Sequence, residues 1–291
     1  MAAETGVRSF PTSLSPSRAN DFQTCPLLFR LRSIDKLPED PSPAAIRGTL
    51  VHAALEHLFE LAPRERTVHA ATSLLTSALG RLESEDPVAY RCLVEDVSAS
   101  PAHAASEILA PTRPLLDAYF SIEDPQRITP HAREMAIEAE LAPGFRGRGF
   151  IDRVEISPDG LVRIVDYKTG RSPGQRYESK AMFQMRFYAL LWWRTTGVLP
   201  AMLQLLYLGD ARTLRLEPSE DQLIATESMI FAIREAIQRA VQEGFNPTPS
   251  RLCDWCSFQP FCPAFDGEPP PMPDVDALGE GVAAEGAATR R

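Results

Sequence analysis

Residues 146–168 read RGRGFIDRVEISPDGLVRIVDYK. Both halves carry β-branched and apolar residues, and the SPDG at 157–160 between them is a turn signal. The stretch therefore predicts a β-hairpin. Side chains alternate across a strand, so Asp166 and Lys168 face one way and Tyr167 the other. Asp152 lies on the first strand, after Gly149-Phe150-Ile151, and the short turn brings it near Asp166. Two carboxylates and an amine converging on one face of a sheet are costly to bury without a ligand. A divalent metal resolves the arrangement, with the carboxylates on the cation and the lysine toward a phosphate or an attacking water. By spacing alone, a surface Asp–Lys pair flanking a hairpin remains open.

Outward from the hairpin, MAIEAEL at 135–141 alternates like a preceding strand. A helix is expected from about Tyr177 to Thr196, where Gln184 and Tyr188 are four apart and share a face. Two short strands, MLQLLYLG and RTLRLE, then flank a Gly209-Asp210 turn, and an amphipathic helix runs from about Ser219 to Gln242. On the N-terminal side, Ser15-Pro16 suits a helix start. Phe22, Cys25, Leu28 and Phe29 recur at helical spacing after it. KLPEDPSPAA reads as a loop, and a second helix is expected from about Ile46 to Leu61. That helix carries His52 and Glu56, four apart. A histidine among Leu, Val and Ala is more often a core or boundary residue than a ligand. His57 has no evident partner and reads as surface. Residues 67–120 look helical, with interruptions near Pro87 and Pro101. The order of elements implies one α/β domain over residues 1–265. A disordered tail rich in Pro, Gly, Ala and acids is expected from 266 to 291.

The 291 residues are 44% hydrophobic and 24% charged, which excludes a disordered or collagen-like chain and permits a sizeable core. No apolar run approaches the ~20 residues of a membrane span. MAAETGVRSFPTSLSPS lacks the apolar stretch of a signal peptide. The expectation is a cytoplasmic protein without a membrane partner, and its thiols would be reduced. The net charge of −9 argues at first against nucleic acid. The charge is uneven, however. Residues 146–186 hold nine bases and five acids, whereas 264–291 hold six acids and two bases. A basic strip can follow a phosphate backbone, or it can be an uneven solvated face. Arg171 and Arg176, just beyond Lys168, are the candidate DNA contacts.

Cys253, Cys256 and Cys262 form C-x2-C-x5-C. Three thiolates so close need a fourth ligand for a tetrahedral zinc or a four-iron cluster. Cys25, followed by proline as Cys262 is, suits that role better than Cys92, which sits in an ordinary helical context. Phe258, Phe261, Phe265 and Trp255 could supply an apolar shell. Reduced core cysteines are the plain alternative.

In order along the chain, LSPSRANDFQTCP, RGTLVH, GFIDRVE, VDYKTG, QMRFYA and CDWCSFQPFC resemble the RecB-type nucleases of the PD-(D/E)xK superfamily. The likeness is closest to their iron–sulfur branch, which takes in AddB-type nuclease domains, exonuclease V and CRISPR-associated nucleases. It spans about residues 13–265. The resemblance implies a restriction-endonuclease-like core, with a central mixed sheet flanked by helices and with N- and C-terminal helical segments joined by a metal cluster. It implies that His52, Asp152, Asp166 and the carbonyl of Tyr167 bind Mg or Mn. Lys168 would orient water or stabilise the phosphorus, with Gln184 and Tyr188 supporting the site. Cys25, Cys253, Cys256 and Cys262 would hold a 4Fe-4S cluster, with zinc as the alternative. The branch's glutamate before the first motif strand is Glu138 or Glu140. The implied activity is metal-dependent cleavage of single-stranded DNA ends or flaps, by an exonuclease or end-processing enzyme of repair or recombination. No P-loop is present, so unwinding would need a helicase partner. A non-hydrolytic, metal-stapled DNA-binding partner of a helicase and a CRISPR spacer-processing nuclease are the alternatives.

Overall fold

The computed structural model describes residues 10–97, 104–174 and 178–273. Strand β1 (Ser13–Leu14) leads into α1 (Pro16–Thr24), which is capped by the Ser15 side chain accepting from the Arg18 amide. The helical spacing through Cys25 does not give one helix. Pro26 disfavours helical geometry in the residue before it, and Cys25 is extended at φ −161° between α1 and α2 (Pro26–Phe29). Helix α3 (Pro43–Leu58) starts earlier than expected because Ser42 caps it and Pro43 occupies its first position. It is followed by α4 (Val68–Glu85), α5 (Pro87–Val97), α6 (Ala104–Leu109) and α7 (Arg113–Ile122). The break expected near Pro101 lies outside the described residues.

Strands β2 (Ala132–Ala142), β3 (Phe145–Ile156) and β4 (Val162–Lys168) form an antiparallel meander. The turn at 157–160 closes as its sequence predicts, with Gly160 at φ +80° and its amide donating to the Ser157 carbonyl. Helix α8 (Glu178–Thr196) then crosses to β5 (Met202–Tyr207), which lies parallel to β4, and β6 (Arg212–Leu216) completes the sheet. The sheet order is β1-β3-β4-β5-β6, with β2 also paired to β3. Helix α9 (Glu220–Glu243) carries a capping box at Ser219 and Gln222.

The alternation along β4 and β5 divides the core in two. Ile164, Leu203 and Leu205 pack with α8 and α9, whereas Val165, Tyr167 and Leu206 pack with α3, α4 and α7. This is a mixed sheet between two helical layers. Among the described residues no helix is long and apolar enough to cross a membrane.

The start of the segment expected to be a disordered tail lies on the core instead. The Gly267 amide donates to the Cys262 carbonyl at 2.9 Å, the Arg30 guanidinium donates to the Pro270 carbonyl, and Met272 packs against the core. Residues 274–291 of that expectation lie outside the described residues.

Candidate active site

The β3–β4 register pairs Arg153 with Val165 and Val154 with Ile164. One step further along it, Asp152 stands across from Asp166. Both are buried, at 6% and 2% exposure. Asp152 Oδ2 accepts the Tyr167 amide at 2.7 Å, which ties the two strands together where their hairpin ladder ends. Asp166 and Lys168 share a face as predicted, and their side chains pair at 2.7 Å.

Helix α8 supplies the next layer. Lys168 Nζ donates to Gln184 Oε1 at 2.9 Å, and Gln184 Nε2 donates to Asp166 Oδ1 at 2.8 Å and to the Tyr188 hydroxyl at 3.0 Å. One amide therefore fixes the acid and the amine together. The helix can lie this close because β3 carries glycine beneath it. A Cβ at Gly149 would come within 2.5 Å of Tyr188 Cε1. On the other side of the strand end, Gly48 lets α3 approach Thr169, where a Cβ would meet Oγ1 at 3.2 Å. One turn further along α3, His52 meets the Tyr167 ring edge-on, with ring centroids 5.8 Å apart.

His52 Nδ1 is buried and makes no hydrogen bond. Asp152 Oδ1 lies 3.4 Å from it and Glu134 Oε1 3.8 Å. The ligand atoms of His52, Glu134 and Asp152 all lie within 4.8 Å of one another. Glu134, and not Glu138 or Glu140, is the glutamate that stands with His52 and Asp152. Glu138 is spent on Arg146 at 2.8 Å, and Glu140 accepts the Gly144 amide at the turn. Glu134 falls opposite Asp152 between the pairs Arg133–Arg153 and Met135–Ile151, and its φ of +40° marks a local distortion of β2.

Negative charge is crowded among these groups. Burial opposes the proton on His52, but the carboxylates of Asp152 and Glu134 outweigh it and hold the imidazole up to about 10. Burial also raises Asp166, to about 6, against the pull of Lys168. Asp152 stays below the usual carboxylate range, because His52 and the Tyr167 amide outweigh its own burial. An imidazole and two carboxylates around an unsatisfied nitrogen fit a hard divalent cation of the Mg or Mn type. Asp166 stands beside this trio, tied to Lys168 and Gln184.

Behind the site, on the opposite sheet face, lies a residue the sequence reading passed over. Arg153 is fully buried. Its guanidinium donates to the Tyr167 hydroxyl at 2.6 Å, to both Glu123 oxygens at 2.9 and 2.7 Å, and to Glu155 at 2.8 Å. Tyr167, the residue between Asp166 and Lys168, is thereby held from the back.

The cysteines gather at a second place. Cys25, Cys253, Cys256 and Cys262 line one cavity with Phe258 and Phe265. The Thr248 amide donates to Cys25 Sγ at 3.4 Å and the Ser250 amide to Cys253 Sγ at 3.3 Å. Cys92 lies elsewhere, with its sulfur 3.1 Å from the Pro41 carbonyl. The expected apolar shell is only half present: Trp255 is 78% exposed, and neither it nor Phe261 lines the cavity. Among the candidate DNA contacts, Arg171 is exposed in the loop after Lys168. Arg176 lies outside the described residues.

A mixed sheet thus presents two buried acids and a lysine beside a His–Glu–Asp group that could hold a cation. The sequence profile of the PD-(D/E)XK nuclease superfamily matches residues 13–263, and the chain belongs to that superfamily. The gene 69 protein of Mycobacterium phage D29 is 26% identical over 286 residues, covering 86% of this chain and 96% of that protein. The gene 69 protein of Mycobacterium phage L5 is 31% identical over 138 residues, covering 46% of this chain and 45% of that protein. A solved structure of a candidate exonuclease from Eubacterium rectale aligns with 88% of this chain and 92% of its own, at a TM-score of 0.49 and 14% identity.

Proposed function

We propose that the protein is a Mg- or Mn-dependent deoxyribonuclease that trims single-stranded DNA ends or flaps. The observation that carries this reading is the convergence of Asp152, Asp166 and Lys168 with His52 and Glu134 at the carboxyl end of β4. His52, Glu134 and Asp152 would hold the cation, with Asp166 beside them. A divalent cation there supplies charge to the phosphate and lowers the pKa of an attacking water. Lys168, held by Gln184 and Asp166, places a compact ammonium where negative charge builds on the phosphate oxygens. Gln184 and Tyr188 keep that lysine and Asp166 in register, and burial of both acids excludes bulk water.

Cys25, Cys253, Cys256 and Cys262 are the ligands we assign to a 4Fe-4S cluster that pins the break after α1 to the C-terminal knot. Zinc with four thiolates is the alternative. Amides donating to two of the sulfurs suit thiolates held by either metal. Work in DNA repair or recombination beside a helicase, in the cytoplasm, is the setting that the RecB-type resemblance implies.

The test is end-labelled single- and double-stranded DNA incubated with Mg, Mn or chelator. Metal-dependent loss of label, faster on single strands, is the expected result. Equal cutting in chelator would remove the metal from the mechanism.

A further inference from the structure

Beyond Lys168 the sheet continues a row of side chains. Lys168 is in register with Tyr207 of β5, and Tyr207 with Arg212 of β6. Two strand spacings, about 10 Å in all, separate the lysine from the arginine. At the far end of this row lies a cavity of about 250 Å³, lined by Ser172, Pro173, Tyr207, Arg212, Thr213 and Leu214.

The cavity has built walls. The Ser172 amide and hydroxyl both donate to the Asp210 carboxylate, at 3.1 and 2.6 Å, and this fastens the loop after Lys168 to the β5–β6 turn. Gly209 packs so tightly there that a Cβ would lie 2.7 Å from the Gly170 carbonyl carbon. The Gly209 amide donates to the Gly170 carbonyl at 3.1 Å. The Asp210 charge is engaged by Ser172, and Arg171 and Arg212 attract it. An exposed arginine therefore stands at the mouth of a cavity whose other polar groups are hydroxyls.

The geometry points to a subsite for one unpaired nucleotide of the strand being cut, with Arg212 on its phosphate and the base in the cavity. The volume falls below the ~300–1,000 Å³ of drug-sized pockets, so it suits one nucleotide unit and not a folded ligand. A base held in a duplex cannot enter without leaving its stack. A subsite of this kind thus gives the nuclease reading, on which it rests, a physical source for single-strand preference.

The experiment compares the wild type with Arg212→Glu and Pro173→Trp, the latter filling the cavity from the loop after Lys168. Anisotropy of a labelled oligothymidylate in chelator reads binding, and cleavage kinetics with Mn read KM and kcat separately. Circular dichroism and Mn titration confirm fold and metal site in each variant. The expected result is binding weakened about tenfold and a matching rise in KM, with kcat changed far less. One abasic position in the oligonucleotide should weaken wild-type binding and leave Pro173→Trp unaffected. Wild-type binding and KM in both folded variants would overturn the subsite. A wild type that binds but never cuts, with binding lost in the variants, would keep the subsite and remove the nuclease reading. A wild type that neither binds nor cuts would remove both.

Discussion

Arg153→Met is the most demanding test of the way the sheet supports its site. The guanidinium has no exposed surface, and the Glu123 side chain is 7% exposed. Without Arg153, Glu123 keeps a 3.0 Å bond from Gln204 Nε2, and Glu155 keeps Arg163. The Tyr167 hydroxyl loses its 2.6 Å partner. Breaking a buried pair by removing one member costs about 3–5 kcal/mol. An unsatisfied hydroxyl costs about 1–3 kcal/mol. The groups touch, so these costs overlap and do not simply add. The expected loss is about 4 kcal/mol, a large share of a typical stability of about 5–15 kcal/mol. Adding Glu123→Gln removes the stranded charge while keeping the contact with Gln204, and should recover about half of the loss. Urea unfolding followed by circular dichroism measures both variants. A single variant within about 1 kcal/mol of wild type, or a double variant less stable than the single, would refute the reasoning.

Lys168→Ala should lower the cleavage rate by at least about a hundredfold with the fold intact. Lys168→Arg should fail too, because a planar fork does not replace a compact ammonium; single-turnover assays check both. Gly149→Ala drives a methyl into Tyr188 and should cost about 1–3 kcal/mol, read as a lowered Tm together with weakened cleavage. Cys25→Ser should lose bound metal and lower the Tm, while Cys92→Ser keeps both. Anaerobic purification with iron and sulfide analysis gives the metal content, and one zinc without colour would exclude the cluster. DNA affinity should fall steeply with salt, and Arg171→Ala should reduce the slope of log affinity against log salt by about one.

The hairpin of β3 and β4 was legible because a two-residue period and an SPDG turn agree, and the same period places Asp166 and Lys168 on one face. Helical spacing put Gln184 and Tyr188 on one face, but only the family resemblance gave that face a role. Glu134 was not, because Glu134, Glu138 and Glu140 share one parity and only the register against β3 separates them. Counting back from the Pro143-Gly144 turn would have paired Asp152 with Met135, because the irregularity between Glu140 and Ala142 shifts the register by one residue. Arg153 was passed over, since its partners Tyr119 and Glu123 lie about thirty residues away on α7 and just beyond it. Cys25 lines a cavity with the C-terminal cysteines, but the helix expected to run through it is broken by Pro26. The exposure of Trp255 is a tertiary fact that composition near the knot does not carry.

The central claim is that the site around Asp166 cuts DNA with a divalent cation. The direct measurement is cleavage of end-labelled single-stranded DNA with Mg or Mn by the wild type and by Asp166→Ala, both checked for fold by circular dichroism. The account predicts cleavage by the wild type and none above background by the variant. Wild-type-like cutting by folded Asp166→Ala would contradict it.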